Sequence, residues 1–475
     1  MDYESLTDKL KFNIENLSDF IKNNQAKNPV LEYMSNIAVE NGFEVTGVND
    51  AIYFKRGDKP SAIIHLNLEY KNRNYNLSLD ENNPSQLVST CEGTYINAIL
   101  IISLLVLDQD ANFDILITNN VIQSENKSFK TLANLIRSQN IINLNLNKSF
   151  CLADQFSSLI LSRINIPVER FEITYDYKKF RISLSNLIGG HTGEDLDKLR
   201  LNSIKTLIGF IRKIKSKVDI DITNITAGER YDNIPSGGFI DFVVKSQYEN
   251  ELLDIFEIIK NKYIEKNLKH EPEMDLSIKE IDKIDYLPIT QTSFNHLLSF
   301  VELIPSGAYK VDNISNELIS SINLSTARTF EDLFAFVIVY RSLSEEIMNE
   351  MQNKTSIAAE ISYGEIITNL VIPKWKNTND NLVNAFRRAY TNIFNEDLQV
   401  IKTQYSLDSS IIFSNLNVNL ISLGVEYKQG EDGNYYSKLA DIVSETMLIN
   451  NAITQLEENW GGHVWAKNYK YMVMS

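Results

Sequence analysis

The chain has 475 residues, 43% of them hydrophobic, enough for a large buried core and for two or three domains rather than one. Its 46 basic and 62 acidic residues leave a net charge of -16, which argues against nucleic acid or an anionic membrane surface as a partner and leaves small molecules, peptides and proteins. The opening "MDYESLTDKL" lacks the basic-then-apolar order of a signal peptide, and the longest apolar stretch, "AILIISLLVL", is too short to span a bilayer, so a cytoplasmic protein is expected.

Strand and helix alternate along the first third. Leu6, Leu10, Ile14, Leu17 and Ile21 recur at helical spacing, and a second helix, "PVLEYMSNIAVENG", stops at Gly42. The strands "FEVTGV", "AIYFKR" and "SAIIHLNL" follow, then the helix "TYINAILIISLLVLDQ", the strand "FDILIT", the helix "KTLANLIRSQ" and the strand "IINLNLN". This order predicts a mostly parallel sheet covered by helices. From about Asn165 the texture changes. "RFEITYDY" and "FRISLSNL" read as neighbouring antiparallel strands, followed by helix "SIKTLIGFIRKIKSK", strands "VDIDITNI" and "GFIDFVVKS", and helix "ELLDIFEIIKNKYIEK". The pattern repeats up to "LFAFVIVYRSL" and helix "EEIMNEMQN". Near Leu370 the first texture returns, with helix "NLVNAFRRAYTNIF", strand "LISLGVEY" and a final helix from Lys438 to Glu457. The architecture expected is an α/β domain interrupted by an inserted α+β domain, with boundaries at 1–165, 166–370 and 371–475.

Cys91 and Cys151 have no CxxC-type spacing and are read as reduced thiols. Any metal site must draw on carboxylates and on five histidines, His65, His191, His270, His296 and His463.

The stretch "LIGGHTGEDLDKLRLNSIKTL" and, some forty residues on, "ERYDNIPSGGFIDFVV" resemble the GGHSG and NxIP motifs of the zinc aminoacyl-histidine dipeptidases of the PepD type. The likeness runs along nearly the whole chain in the same order. "AIIHLN" resembles a strand ending HLD, "ILITNN" one ending TEE, "INLNLN" the family's INLDSE, "VYRSL" its IRSL and "LISLGV" its SIGP. It implies a zinc-peptidase-like domain with a mixed sheet flanked by helices, interrupted by a lid that also mediates dimerisation. It also implies two zinc ions that activate a bridging water, with a glutamate as general base.

At the implied positions this sequence departs from the pattern. His65 keeps a histidine ligand, but Asn67 replaces the aspartate that would support it. Glu92, in "TCEGTY", stands where a bridging aspartate is implied, one methylene longer. Asn119 and Asn120 fall at the general-base and adjacent ligand glutamates, Asn145 at a ligand aspartate, and Glu431 at the closing histidine. An amide nitrogen has no basic lone pair and its carbonyl oxygen is a neutral, poor zinc ligand, so these positions look like disarmed carboxylates. Zinc is therefore not expected unless a residual site survives on His65, Glu92 and Glu431.

Plainer readings stand beside these. His65 at the end of an apolar strand is read as a satisfied core histidine in preference to a ligand. Glu92 fits a helix-capping role equally well, and Asn119 and Asn120 fit turn hydrogen bonds.

The inserted part retains more. The resemblance makes His191, beside Gly189 and Gly190, the oxyanion-stabilising lid histidine, acting in the partner subunit's site. It makes Asn233 and Arg341 holders of the substrate's carbonyl or carboxylate. A turn-stabilising histidine, a turn asparagine before Pro235 and a strand-anchoring arginine are the alternatives. Asp408, in "YSLDSS", lies at the glutamate of a GLEC motif, and the aromatic "NWGGHVWAKNYKYMVMS" extends past the matched region. Two functions are expected in competition: a pseudo-peptidase that binds a peptide or a partner protein, and an active dipeptidase with a rearranged or single-metal site. The partners expected are a dipeptide or peptide ligand and a second subunit, either a copy of this chain or an active paralogue.

Overall fold

The computed structural model describes residues 3–24, 28–48, 51–68, 76–90, 93–107, 111–119, 132, 135–193, 195–414 and 416–458. The chain divides into two compact units. The first comprises residues 1–156, 375–402 and 407–475, and the second 157–374 and 403–406.

Unit 1 is built on a nine-stranded mixed sheet. Its strands are β1 (Glu44–Val48), β2 (Ala51–Lys55), β3 (Ala62–Asn67), β6 (Phe113–Thr118), β7 (Asn140–Asn143), β8 (Cys151–Phe156), β20 (Trp375–Lys376), β21 (Gln399–Thr403) and β22 (Asn419–Ser422). The order is β1-β2-β6-β3-β7-β22-β8-β20, with β21 also on β8. The four central strands β6, β3, β7 and β22 are mutually parallel, while β2 and β8 flank them antiparallel. Every residue of β3 and β6 is buried, as expected of central parallel strands covered on both faces. A smaller four-stranded sheet, β23-β24-β5-β4, joins β4 (Leu77–Leu79), β5 (Gln86–Ser89), β23 (Lys428–Gln429) and β24 (Tyr435–Lys438).

The helices of unit 1 are α1 (Tyr3–Asn23), α2 (Pro29–Glu40), α3 (Thr94–Val106), α8 (Asn381–Phe394), α9 (Ser409–Phe413) and α10 (Leu439–Glu458). α1 buries Leu6, Leu10, Ile14 and Leu17, one stripe at helical spacing. α2 starts where Asn28 Oδ1 accepts from Leu31 N at 3.1 Å with Pro29 just inside, and it stops before Gly42, whose φ is +81°. α3 is apolar all round and lies among α1, α2 and α10, so it is a core helix and not a membrane span. Among the described residues no helix is long and apolar enough to cross a membrane.

Unit 2 carries a second nine-stranded sheet in the order β15-β10-β14-β12-β17-β18-β9-β19, with β16 on β17. These are β9 (Ser158–Pro167), β10 (Tyr177–Ser185), β12 (Ile220–Ala227), β14 (Gly238–Lys245), β15 (Asp275–Glu280), β16 (Gly307–Val311), β17 (Leu318–Thr329), β18 (Leu333–Ser342) and β19 (Glu365–Ile372). A two-stranded ribbon pairs β11 (Gly190–His191) with β13 (Asn233–Ile234). The helices are α4 (Ser203–Lys215), α5 (Glu249–Asn267), α6 (Gln291–Leu303) and α7 (Glu345–Ile361). α4 is capped by Asn202 Oδ1, and its apolar face joins the core of Phe210, Phe242, Phe256 and Phe336.

One expected strand is absent. "RFEITYDY" is not a strand until Tyr177; the strand lies earlier, at β9. Arg170 explains the difference. Its guanidinium donates to the backbone carbonyls of Glu331 (2.6 Å), Thr223 (3.1 Å), Phe330 (2.9 Å) and Leu287, so the segment is held by this side chain and by a single antiparallel bridge between Arg170 and Ile289 instead of a continuous ladder. Of the expected helix "KTLANLIRSQ", residues 130, 131, 133 and 134 lie outside the described residues, and Leu135 to Gln139 are a turn and irregular chain rather than helix.

Candidate functional site

The C-terminal ends of parallel strands are where α/β sheets present their ligand-binding groups. In unit 1 those ends carry Thr118 on β6, His65 and Asn67 on β3, Asn143 on β7 with Asn145 just beyond, and Ser422 on β22. The loop before α9 adds Asp408, and α9 begins with Ser409.

These side chains form one hydrogen-bonded network. His65 Nε2 lies 2.9 Å from Thr118 Oγ1, and Thr118 Oγ1 in turn donates to Asn67 Oδ1 at 3.0 Å. A hydroxyl has one proton, so Thr118 accepts from His65, and the ring proton is assigned to Nε2. Nδ1 is then the acceptor, with Asn143 Nδ2 at 3.1 Å and Ser409 Oγ at 3.0 Å facing it. Both ring nitrogens are thus engaged by protein groups. The ring is fully buried and meets Phe413 edge-on at 5.7 Å. Burial lowers the His65 pKa to about 3, so the ring is neutral at pH 7.

The amides close the network. Asn67 Nδ2 donates to Asp408 Oδ2 at 2.7 Å. Asn145 exchanges a pair of bonds with the Asn67 backbone, Oδ1 accepting from N at 2.9 Å and Nδ2 donating to O at 2.8 Å. Asn143 Nδ2 also donates to Asn145 Oδ1 at 2.9 Å, and Asn143 Oδ1 accepts from Ser422 Oγ at 2.6 Å. His65, Asn67, Asn145 and Asp408 are therefore in one place. Asn119 is half-buried just past β6, and Glu431 is exposed in the turn between β23 and β24. Glu92 and Asn120 lie outside the described residues. Thr118, Asn143, Ser409 and Ser422 were not anticipated. The i, i+2 pair Asn143 and Asn145 in "INLNLN" was a signal for one of them, since such residues share a strand face.

Unit 2 gathers a second group. His191 and Asn233 are direct cross-strand partners in the β11–β13 ribbon. His191 N donates to Asp195 Oδ2 at 2.7 Å, and its Nδ1 accepts from Gly193 N at 3.1 Å, which leaves Nε2 as the ring's donor. The ring stacks on Tyr405 at 5.2 Å. Burial, with the Arg341 cation adding to it, lowers the His191 pKa to about 4. Gly190 has φ +131°, and a Cβ there would run into Arg200 and Asp195, so the turn demands glycine. Arg341 is 4% exposed and donates to Thr192 Oγ1 (3.3 Å), the Gln404 carbonyl (3.1 Å) and Ser406 Oγ (3.2 Å). The Asn233 side chain is exposed, and its backbone carbonyl accepts from Asn323 Nδ2 at 2.9 Å. The arrangement can present a neutral imidazole N–H beside an exposed amide.

Comparison with solved structures places this architecture. Aminoacylhistidine dipeptidase from Vibrio alginolyticus superposes with a TM-score of 0.66 at 14% identity, over 89% of this chain and 91% of that one. The chain has the aminoacylhistidine dipeptidase fold. A tripeptidase from Staphylococcus aureus and a di-peptidase from Saccharomyces cerevisiae each superpose at a TM-score of 0.50 and 9% identity, over 96% of this chain and 99% of theirs. In sequence, the cytosol non-specific dipeptidase of Escherichia coli is 19% identical over 245 residues, so the chain matches half the length of that relative. No family model matches the sequence.

The pair of zinc ions implied by the resemblance can be tested against the side chains present. Zinc is bound by thiolates, by imidazole lone pairs and by carboxylates. Among the described residues at the implied positions, His65 offers no vacant nitrogen, Asn67 and Asn145 are neutral amides bonded to one another's backbone and side chain, and Asp408 is committed to Asn67. This donor set does not fit a dinuclear zinc centre.

Proposed function

We propose that this chain is a non-hydrolysing member of the dipeptidase-fold proteins, one that binds a peptide or a partner protein rather than cleaving a peptide bond. The observation that carries this reading is the engagement of both His65 nitrogens, by Thr118 on one side and by Asn143 and Ser409 on the other. An activated water needs a Lewis acid or a general base beside it, and neutral amides supply neither. The lid group supports binding: His191 keeps an N–H donor next to exposed Asn233, and Arg341 lies behind them as a fixed cation. A dipeptide or short peptide with a carbonyl to polarise and a carboxylate to neutralise suits that trio. A homodimer, or a heterodimer in which His191 completes the site of an active paralogue, follows from the same reading, as does a cytoplasmic location.

The carboxylate that Asp408 brings to Asn67 favours a second reading, a metal-dependent dipeptidase with a rearranged site on His65, Glu92, Glu431 and Asp408. One assay separates the two. The purified full chain is given Xaa-His dipeptides with and without zinc, manganese or cobalt, and its metal content is measured. No turnover and no stoichiometric metal are expected. Near-stoichiometric zinc or manganese, or hydrolysis abolished by His65→Ala, would establish the second reading instead. In a heterodimer, His191→Ala in this chain lowers the partner's turnover by roughly 10²- to 10³-fold, the loss typical of one oxyanion donor.

A further inference from the structure

His191 sits in a segment of unusual backbone. Gly189 (φ +63°), Gly190 (φ +131°) and Leu199 (φ +54°) all lie in the left-handed region. Glycine adopts such angles freely, but a leucine there is strained, and Leu199 is 76% exposed, so its side chain gains no burial in return. A segment of this kind keeps its shape only when surrounding groups hold it.

One buried side chain grips both of its ends. Glu271, 1% exposed, lies just past α5, where its N–H donates to the Asn267 carbonyl at 2.8 Å. Its Oε2 accepts from Ile188 N at 2.7 Å and its Oε1 from Leu201 N at 2.9 Å. Burying a carboxylate is costly unless its oxygens are satisfied, and both of these are spent on the two ends of the His191 segment. Within the grip the links run on to the histidine. Arg200 Nη1 donates to the Gly189 carbonyl, Arg200 Nη2 pairs with Asp195 Oδ1 at 3.1 Å, and Asp195 Oδ2 accepts from His191 N at 2.7 Å. The imidazole is then set by Gly193 N on Nδ1 and by the Tyr405 stack. Among the described residues no hydrogen bond joins Glu271 to the His191 side chain itself, so any effect on the ring passes through the backbone it holds.

We propose that Glu271 is a positioning residue for His191: by fixing Ile188 and Leu201 to the end of α5 it keeps the strained segment closed, and so keeps the imidazole in the tautomer and place that offer Nε2–H beside Asn233. What that donor serves rests on the peptide-binding reading. That Glu271 positions it does not.

The test is the variant Glu271→Gln in the full chain. It keeps the shape and one acceptor oxygen but turns an amide NH2 toward the second backbone N–H, which releases one end of the segment. Nitrogen-15 spectra of histidine-labelled protein, with the His191 signals assigned by their loss in His191→Asn, are followed as a function of pH. In the parent the ring should carry its proton on Nε2 and titrate near 4. In Glu271→Gln it is expected to gain water and titrate near the free-imidazole value of about 6.5. The charges facing the ring, Arg341 and Arg230 against Asp232 and Asp195, are the same in both chains, so the shift reports the segment. A folded Glu271→Gln chain with an unchanged His191 titration and tautomer overturns the proposal, even if its melting temperature falls, because Glu271 then serves stability alone. Should that variant not fold, hydrogen exchange in the unaltered chain decides. The Ile188 and Leu201 amides should exchange roughly a hundredfold or more slowly than in unstructured chain, and exchange at the unstructured rate overturns the proposal. A parent chain that binds no Xaa-His dipeptide would remove the peptide-binding reading, while the titration still decides the role of Glu271.

Discussion

Asn67 donates from Nδ2 to the Asp408 carboxylate at 2.7 Å while its own Oδ1 accepts from Thr118 at 3.0 Å, so the amide is the one side chain of its shape that can satisfy both neighbours. Asn67→Asp keeps the shape and turns the donor into a second carboxylate facing the first. Two carboxylates at that spacing cannot both ionise cheaply. The variant is expected to lose about 2 kcal/mol of stability at pH 7, the scale for a charged hydrogen bond turned repulsive. Asp408→Asn in the same chain should restore most of it. A double variant no more stable than Asn67→Asp alone would mean the pair does not interact as described.

Thr118 holds the other half of the network, accepting from His65 and donating to Asn67. Thr118→Val is nearly isosteric and removes both partners at once. A buried imidazole N–H and a buried amide oxygen are then unsatisfied, at a cost of about 1–3 kcal/mol each. Urea unfolding should register a loss of that order, whereas Thr118→Ser should register far less. Equal losses would point to the methyl group, and therefore to packing rather than hydrogen bonding.

These residues also mark how far the sequence could be read. Helices such as α1 and α8 were legible because their apolar residues recur at helical spacing and the burial follows that spacing. The fully apolar runs of β3 and β6 announced central strands. Asn67 and Asn145 stood out as amides where carboxylates were implied. What they bond to was not legible, because Asp408 and Ser409 are more than three hundred residues away in sequence from His65 and Asn67 and reach them only through the tertiary fold. The strand misplaced onto "RFEITYDY" failed for a related reason: alternating apolar residues suggest a ladder, but the carbonyls that Arg170 captures belong to distant segments.

The protonation state of His65 follows from its burial. Its pKa falls to about 3, so the folded chain stays neutral there while the unfolded chain takes a proton below about 6.5. The stability tied to this group is complete above that value and declines as pH falls toward 3, by about 1.4 kcal/mol per unit. Nitrogen-15 spectra of histidine-labelled protein at pH 5 should show His65 neutral with the proton on Nε2. A resonance titrating near 6.5 would show the ring to be solvated.

Glu445 shifts the other way. It is fully buried on α10, its Oε1 accepts from Phe150 N at 2.6 Å, and Oε2 has no partner among the described residues. Burial raises its pKa to about 8. The folded chain thus keeps a proton that the unfolded chain has lost, and the associated stability, complete below about 4.5, declines as pH rises toward 8. Glu445→Gln is neutral in both states and keeps the acceptor for Phe150. It should match the parent near pH 4.5 and exceed it by roughly 4 kcal/mol at pH 8. Urea midpoints at the two pH values test this; the same difference at both would show that ionisation of Glu445 plays no part.

The last prediction concerns assembly. β19 pairs with β9 along one edge and is the terminal strand of the unit 2 sheet among the described strands. Its exposed positions include the apolar Val371 (54%) and Ile367 (39%) beside Glu365, Thr368 and Asn369, and Tyr363 just before it is 72% exposed. Unpaired strand edges are usually blunted by charge, proline or bulges; β19 has one charge, Glu365 at its start, and one register shift between Thr368 and Leu370, but no lysine, arginine or proline. Antiparallel pairing of β19 with its copy about a two-fold axis gives each subunit the same partner surface, satisfies the edge amides and covers those side chains. With flanking contacts such an interface is expected to reach the roughly 1,200–2,000 Å² typical of stable pairs. Sedimentation of the full chain at micromolar concentration should therefore show a dimer, and Ile367→Lys with Val371→Lys should give a folded monomer by placing four like charges along the shared edge. A parent chain that sediments as a monomer would remove this contact, and a lysine variant that remains dimeric would place the interface elsewhere.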